Sequence, residues 1–437
     1  MARAIAAKEG FEMVDDINED YTHLAGTIVK IKKECRAAAP NHATRRISSN
    51  TRALLEKRRH MDRQANHLEY AVLSRLCRQR LAEDHANFVS SRLLDAAHSK
   101  RSLKVEKRAL AEHRLSIPCL KAPDGSRCSS RPGMESIMAN FYSALFRSGS
   151  GQTTAVLSPG EEVPPFLTSE VRHAIEAMPR GKAPGADGIT VELLQACGPT
   201  LHTALARRFS HYLTKCEVPT AWKQSSTILL YKKGDKEDLE NYRPITLLLV
   251  LYKVFMRCIL TRIRKFSTLD HIITCCRLIQ SAREYQEPLV LTFIDYKKAF
   301  DSVEPAKVWK ALEEQGVERR YTKVLSECYL GCTVFRSFLN DIGVFVEKGV
   351  RRGDPVPPNL FAACLGSVIH SCDWSTFEVL IDGMRLNHLQ FADDIVLITR
   401  SPGDVSEMLQ LLHEEGRKAG LNINTMKTKV MRNTFSS

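Results

Sequence analysis

The chain has 437 residues, 43% of them hydrophobic and 26% charged, which are the proportions of a folded globular protein rather than a disordered one. Lys and Arg outnumber Asp and Glu by 63 to 50, giving a net charge of +13. This surplus disfavours a cationic partner and favours a polyanion, of which nucleic acid is the usual case.

The sequence indicates neither a secretory signal peptide nor a membrane-spanning segment. The first nine residues contain no apolar core of a signal peptide, and the longest apolar run, Ile245–Tyr252, is far shorter than a membrane span. The 13 cysteines are scattered without a Cys-x-x-Cys pair, which favours free thiols in a reducing compartment. We therefore expect an intracellular protein, in the nucleus or the cytoplasm, with no membrane partner.

Residues 1–120 contain 23 Lys and Arg against 15 Asp and Glu. Apolar residues recur at helical spacing between Leu68 and Leu94, which predicts amphipathic helices with a basic face. The alternative is a charged face that is merely solvated. A stretch rich in Gly, Ser, Thr and Pro at 147–167 then predicts a linker.

Two helices are predicted after the linker, the first from Thr168 to Met178 and the second from Val191 to Lys215. Between them, a loop rich in Gly and Pro contains Lys182, but its spacing matches no phosphate-binding loop.

A basic hairpin is predicted next. Its first strand, Ser226–Tyr231, leads into Lys232-Lys233-Gly234-Asp235-Lys236, and the chain returns through a segment that contains Arg243. Lysine as a point charge and arginine as a two-pronged donor could hold a triphosphate at such a tip. An ordinary solvated hairpin is the open alternative.

Three acidic residues are predicted at strand ends. Asp295 follows the apolar strand Leu289–Ile294, and Asp393 and Asp394 separate an alternating strand from the apolar run Ile395–Ile398. Adjacent carboxylates repel each other, and a divalent cation removes that cost, although Asp is also common in solvated turns. Together the three acids favour two magnesium ions about 3.5–4 Å apart that clamp a phosphoryl transfer.

With these pieces in order, the chain resembles the reverse transcriptases of non-LTR (LINE-type) retrotransposons from about Pro164 onward. The resemblance is carried by seven blocks: Ala183–Ile189, Leu230–Asp235, Asn241–Ile245, Phe293–Val303, Gly349–Asp354, Phe391–Asp394 and Gly420–Thr428.

The resemblance implies roles for nine residues. Asp295, Asp393 and Asp394 would be catalytic and bind the two Mg²⁺ ions. Lys232 or Lys233, with Arg243, would hold the incoming dNTP. Phe300 would exclude a 2′-hydroxyl, Gly353 would line the nucleotide pocket, and Lys427 would assist the leaving pyrophosphate; for Lys427, a solvated lysine after a helix is the alternative.

The resemblance also implies an architecture. We expect an α+β right-hand polymerase fold with an antiparallel palm sheet at about 289–437 and fingers at about 168–288. Residues 1–146 would be a basic helical connector, and the linker 147–167 would precede a reverse transcriptase domain at 168–437. The partners would be an RNA template and a DNA primer.

Three features depart from the family pattern. The template-gripping block expected near Arg264-Lys265-Phe266 is missing, and Arg352 replaces the family's glutamine before Gly353-Asp354. The primer-grip strands and the thumb are not found after Lys427-Thr428. The expected function is RNA-directed DNA synthesis, and the alternatives are an inactive relic that only binds nucleic acid and an RNA-dependent RNA polymerase.

Overall fold

The computed structural model describes residues 2–37, 47–61, 67–98, 103, 117–148, 163–263, 271–336, 340–351, 353–377, 379–381, 384–391 and 393–436. They form two compact units, one of Met1–Arg36 with Pro118–Ser437 and one of Ala37–Ile117. This division differs from the predicted connector of residues 1–146, because the first 36 residues belong to the larger unit. Most of the predicted linker 147–167 lies outside the described residues.

Helices make up most of the regular structure. In chain order they are α1 (Ala2–Lys8), α2 (Ile17–Ala37), α3 (Ser49–His60), α4 (His67–His98), α5 (Arg131–Phe146), α6 (Thr168–Glu176), α7 (Val191–Cys197), α8 (Pro199–Lys215), α9 (Thr220–Lys223), α10 (Val250–Ile263), α11 (His271–Glu284), α12 (Ala299–Ser302), α13 (Pro305–Glu314), α14 (Arg319–Tyr329), α15 (Pro357–Ser371) and α16 (Pro402–Lys418). No described helix is long and apolar enough to cross a membrane.

The strands are β1 (Leu120–Lys121), β2 (Arg127–Cys128), β3 (Gln224–Tyr231), β4 (Tyr242–Leu247), β5 (Val290–Ile294), β6 (Cys332–Arg336), β7 (Asp341–Phe345), β8 (Val379–Ile381), β9 (Met384–Leu386), β10 (His388–Phe391), β11 (Asp394–Thr399) and β12 (Lys429–Arg432). They form two four-stranded sheets and two small hairpins. Helices packed with mainly antiparallel sheets confirm the predicted α+β class.

The smaller unit is built on α3 and α4. The Ser48 hydroxyl caps α3 by accepting a hydrogen bond from the Thr51 amide at 3.2 Å, and the Ser48 amide donates to the Asp84 carboxylate of α4 at 2.8 Å. The predicted helix between Leu68 and Leu94 is confirmed by α4. Residues 37–117 carry 17 Lys and Arg against 8 Asp and Glu, so this unit holds most of the net positive charge of the chain.

The core of the larger unit contains a cluster of aromatic side chains. Phe209 of α8 lies 5.1 Å from Phe255 of α10, measured between ring centroids, and Trp222 of α9 lies 5.3 Å from Phe255. All three are almost completely buried. Edge and tilted ring contacts add to the free energy gained by burying this apolar surface.

The N-terminal helix α2 is joined to this core by an ion pair. Asp20 and Arg208 are each 1% exposed. The Arg208 guanidinium donates to both carboxylate oxygens of Asp20, at 2.7 and 2.8 Å, and to the backbone oxygens of Phe11 and Glu12. Two parallel bonds fix the angle between the partners as well as their distance.

The prediction of a single helix from Val191 to Lys215 is wrong, because the structure has two helices there, α7 and α8. Gly198 lies between them with φ at +78°, a conformation that side-chain-bearing residues rarely adopt. Pro199 then occupies the first turn of α8, where its missing amide hydrogen costs nothing.

The first large sheet has the strand order β4-β3-β6-β7. The predicted basic hairpin is confirmed, since β3 and β4 pair antiparallel with Leu230 opposite Arg243. The sheet is mixed rather than fully antiparallel, because β3 and β6 run parallel.

The second large sheet has the order β10-β11-β5-β12, and all its neighbouring pairs are antiparallel. Its central strand β5 buries Val290, Leu291, Thr292 and Ile294, as expected for an apolar strand covered on both faces. The predicted hairpin around the two adjacent acids is confirmed by β10 and β11.

Of the 13 cysteines, 11 have side chains that the structure describes, and these are all free, with 7 of them buried. The prediction of free thiols is therefore confirmed for this part of the chain. Burial raises the pKa of the Cys364 thiol, which keeps it protonated and inert.

Candidate active site

Two of the three predicted acids lie on neighbouring strands at one edge of the antiparallel sheet. Ile395 of β11 pairs with Ile294 of β5, so Asp394 and Asp295 each stand one residue beyond that pair. Asp393 lies in the turn that joins β10 to β11. The register of two antiparallel strands therefore brings residues about 100 positions apart in sequence to the same edge.

The charges of these carboxylates affect each other. The pKa of Asp394 is raised above its ordinary value, first by partial desolvation and then by the negative charges of Asp393 and Asp295. Like charges that converge disfavour ionisation. A cation bound at this edge would relieve the repulsion.

Asp295 is held by two donors from the segment that follows α16. The Lys427 ammonium donates to Asp295 Oδ2 at 2.7 Å, and Asn424 Nδ2 donates to the same oxygen at 3.2 Å. The structure thus pairs Lys427 with Asp295, and the role of Lys427 toward pyrophosphate stays a prediction. Asn424 was missed by the sequence reasoning, although it lies in the same block, three residues before the lysine.

The basic tip of the β3–β4 hairpin lies near the acids as well. Desolvation lowers the pKa of Lys232, and the positive charges of Arg243, Lys427 and Lys233 lower it further, while the negative charge of Asp295 opposes them. The Lys232 amide donates to the Asn241 oxygen at 2.9 Å, which closes the base of the tip. The charge of Lys232 in one sheet and that of Asp295 at the end of the other therefore act on each other.

Phe300 is half-buried, and its ring lies 5.0 Å from that of Phe361 in α15. Its backbone oxygen accepts a hydrogen bond from the Val350 amide at 2.6 Å. This bond ties the short helix α12, which follows Asp295, to the block that contains Gly353. The assignment of Phe300 and Gly353 to the site stays a prediction.

Gly353 sits against the strand that carries Arg243. Its φ is +114°, and a β-carbon at this position would lie 2.4 Å from the backbone oxygen of Thr246 in β4. Only glycine fits a contact this close. Arg352, the residue that departs from the family pattern, lies outside the described residues. The segment 264–270, where the template-gripping block was expected but not found, also lies outside them.

The carboxyl group of Asp354 is buried behind this glycine. The Tyr252 hydroxyl donates to Asp354 Oδ2 at 2.6 Å and the Val356 amide donates to Oδ1 at 3.2 Å. Burial raises the pKa of Asp354 to about 6, and the Tyr252 and Val356 hydrogen bonds and the charge of Arg351 only partly oppose this effect.

The raised pKa of Asp354 predicts how stability depends on pH. Between about pH 4 and pH 6 the folded protein binds the Asp354 proton more tightly than the unfolded chain does, so the free energy of unfolding falls as the pH rises. The loss should approach about 3 kcal/mol. Urea unfolding at several pH values would measure it, with Asp354→Asn as the reference; parallel pH profiles of the two proteins would contradict it.

The donor chemistry of the site fits a hard divalent cation. Carboxylate oxygens are the ligands that Mg²⁺ prefers, and three of them stand at one sheet edge. Within the described residues, however, no three His, Cys, Asp or Glu side chains are already grouped closely enough to hold a metal ion. The Lys427 ammonium lies 2.7 Å from one oxygen of Asp295, so a metal ion at this carboxylate would have to compete with that ion pair.

Comparison with known proteins shows what the C-terminal half of the chain is similar to. Residues 231–436 match the model described as "Reverse transcriptase (RNA-dependent DNA polymerase)". The "Retrovirus-related Pol polyprotein from type-1 retrotransposable element R2" of Popillia japonica is 27% identical over 284 residues, which cover 60% of this chain and 39% of that protein. The "RNA-directed DNA polymerase from mobile element jockey" of Drosophila melanogaster is 27% identical, covering 64% and 34%.

A third relative, the "Probable RNA-directed DNA polymerase from transposon BS" of Drosophila melanogaster, is 24% identical over 81% of this chain and 43% of its own length. A solved structure, apo telomerase from Candida tropicalis truncated from its C-terminal domain, aligns with a TM-score of 0.37 and 10% identity over 49% of this chain and 51% of that one. The chain spans less than half the length of these curated relatives. Residues 231–436 therefore resemble reverse transcriptases, and the relatives that the chain matches are named for the polymerases or Pol proteins of retrotransposable and other mobile elements.

Proposed function

We propose that the chain is an RNA-directed DNA polymerase that adds dNTPs to the 3′-hydroxyl of a DNA primer on an RNA template. The observation that carries the proposal is the match of residues 231–436 to the reverse transcriptase model, and the electrostatic interactions of Asp295 with Asp394 and with Lys232 support it. Acids that repel each other, next to cations that suit phosphate, are what a nucleotidyl transfer site requires.

The carboxylates Asp295, Asp393 and Asp394 would hold two Mg²⁺ ions. Bound there, the ions would neutralise charge that develops on the attacking and leaving oxygens. The residues of the chain would contribute to the reaction by binding and orienting the primer and the dNTP.

The cationic side chains would bind the triphosphate. Lys232 or Lys233 would contact it as a point charge and Arg243 as a two-pronged donor. Desolvation, and then the neighbouring cations Arg243, Lys427 and Lys233, lower the pKa of Lys232, and an anionic ligand would offset the repulsion among these cations. Lys427 would move from Asp295 to the leaving pyrophosphate, and Gly353 would let the backbone approach the nucleotide closely.

Substrate and place of action complete the proposal. The net charge of +13 supports a nucleic-acid duplex of template and primer as the partner. An intracellular place of action, in the nucleus or the cytoplasm, follows from the need for that template and for dNTPs.

The test is extension of a labelled DNA primer annealed to an RNA template, with dNTPs and a titration of MgCl₂. The proposal predicts template-dependent products that require both Mg²⁺ and an intact Asp393. Absence of extension at every Mg²⁺ concentration, with binding of the primer–template retained, would instead identify the chain as a relic that only binds nucleic acid.

Phe300 offers a test that separates DNA synthesis from RNA synthesis. Its side chain is half-buried, and its ring packs against that of Phe361. Phe300→Ala should admit a 2′-hydroxyl and lower the preference for dNTPs over rNTPs about tenfold or more.

The measurement is single-nucleotide incorporation with dCTP and CTP, compared between the two proteins. Phe377→Ala, at a partly buried phenylalanine elsewhere in the core, is the matched control and should keep the preference unchanged. A Phe300→Ala variant that discriminates as well as the parent would remove Phe300 from the sugar site. A parent that favours CTP would point to an RNA-dependent RNA polymerase.

A further inference from the structure

Asp295 is bonded on one side only. Lys427 Nζ at 2.7 Å and Asn424 Nδ2 at 3.2 Å both donate to Oδ2. None of the hydrogen bonds among the described residues reaches Oδ1. The carboxylate is thus held by one oxygen and leaves the other available.

Asn424 is fixed to the strand end by its backbone as well as by its side chain. Its backbone amide donates to the backbone oxygen of Asp295 at 2.7 Å. Its backbone oxygen accepts from the backbone amides of Lys427 and Thr428 at 3.0 and 2.9 Å. The neighbouring residues Tyr296 and Ile423 form a β-bridge. The amide side chain of Asn424 is therefore a rigid donor.

Lys427 is a donor of a different kind. Its side chain is 52% exposed and ends in a charged group on four rotatable bonds, so it can leave Asp295 without disturbing the fold. It forms an ion pair with Asp295, one of the three acids assigned to the metal. A divalent cation and this ammonium would compete for the same negative charge.

We propose that Asn424 is a positioning residue that orients the Asp295 carboxylate for metal, and that Lys427 is an internal counter-ion that the metal displaces. This inference rests on the proposed metal site. It assigns opposite effects to two side chains that donate to one oxygen: loss of Asn424 weakens metal binding, whereas loss of the Lys427 charge strengthens it.

Binding of Mn²⁺ to the free chain, followed by electron paramagnetic resonance without nucleic acid or dNTP, tests the inference. Lys427→Met should bind Mn²⁺ about two- to fivefold more tightly than the parent, the range expected when a partly exposed ion pair is removed. Lys427→Arg, which keeps the charge, should restore the parent affinity. Asn424→Ala should bind about tenfold or more weakly, as is typical when a partner that orients a ligand is lost.

Lys418→Met is the matched control, because Lys418 forms an exposed ion pair with Glu415 at 2.6 Å and should leave Mn²⁺ affinity unchanged when removed. Asn424→Ser replaces the alanine variant if that variant does not fold. Equal Mn²⁺ affinities in all variants would overturn the roles proposed for Asn424 and Lys427 but would leave the proposed metal site in place. Weaker Mn²⁺ binding by Lys427→Met would overturn the counter-ion role of Lys427. Absence of Mn²⁺ binding by the parent would overturn the metal site together with the roles of Asn424 and Lys427.

Discussion

Asp393→Asn is expected to slow nucleotide incorporation about a thousandfold or more, which corresponds to about 4 kcal/mol of lost transition-state stabilisation. Asparagine has nearly the shape of aspartate but no charge, so it is a poor ligand for a hard divalent cation. Asp393 lies in the turn between β10 and β11 and is only partly buried, so the substitution should leave the fold intact.

The measurement is the single-turnover rate of primer extension at saturating MgCl₂, with affinity for the primer–template determined in parallel. Asp373→Asn is the matched control, since Asp373 is an exposed carboxylate that only accepts hydrogen bonds from Ser375. Its rate should equal that of the parent. A rate for Asp393→Asn within tenfold of the parent would remove Asp393 from the catalytic set.

Asp20→Ala is expected to lower the free energy of unfolding of the larger unit by about 3–5 kcal/mol. Asp20 and Arg208 are each 1% exposed, so the substitution leaves a guanidinium buried without its counter-ion. The cost of that unpaired charge exceeds the net contribution of the intact pair, because the pair had already lost its hydration.

Urea unfolding of the full chain, followed by tryptophan fluorescence, would measure this loss, since Trp222 lies in the core of the same unit. Glu9→Ala provides the control, because the ion pair of Glu9 with Lys30 is exposed and should contribute less than about 1 kcal/mol. Asp20→Leu combined with Arg208→Met should destabilise less than Asp20→Ala alone. A larger loss in the double variant would show that the packing of these side chains, and not the unpaired charge, dominates.

Patterns within short stretches predicted the parts of the site that lie on strands. The apolar run before Asp295 and the alternation before Asp393 each depend on neighbours only a few residues away, and both strands were found. The structure pairs these strands antiparallel, with Ile395 opposite Ile294. The basic hairpin was found for the same reason.

Contacts between distant residues were not predictable in this way. No periodicity links Asp20 to Arg208, so the packing of α2 into the larger unit was missed. Asn424 was missed because its role depends on the backbone of Asp295, to which only the folded sheet brings it. The break at Gly198 had a local signal in Gly198-Pro199, but the apolar residues on both sides continue the helical period and concealed it.

The ion pair between Asp20 and Arg208 has a consequence during synthesis. The two residues are 188 positions apart, so at a translation rate of about 5–20 residues per second Asp20 leaves the ribosome about 10–40 s before its partner exists. Throughout that interval Leu24, Ile28 and Ile31, which the finished protein buries, have no core to cover them. Helix α2 is therefore the segment of the nascent chain that we expect a chaperone to hold.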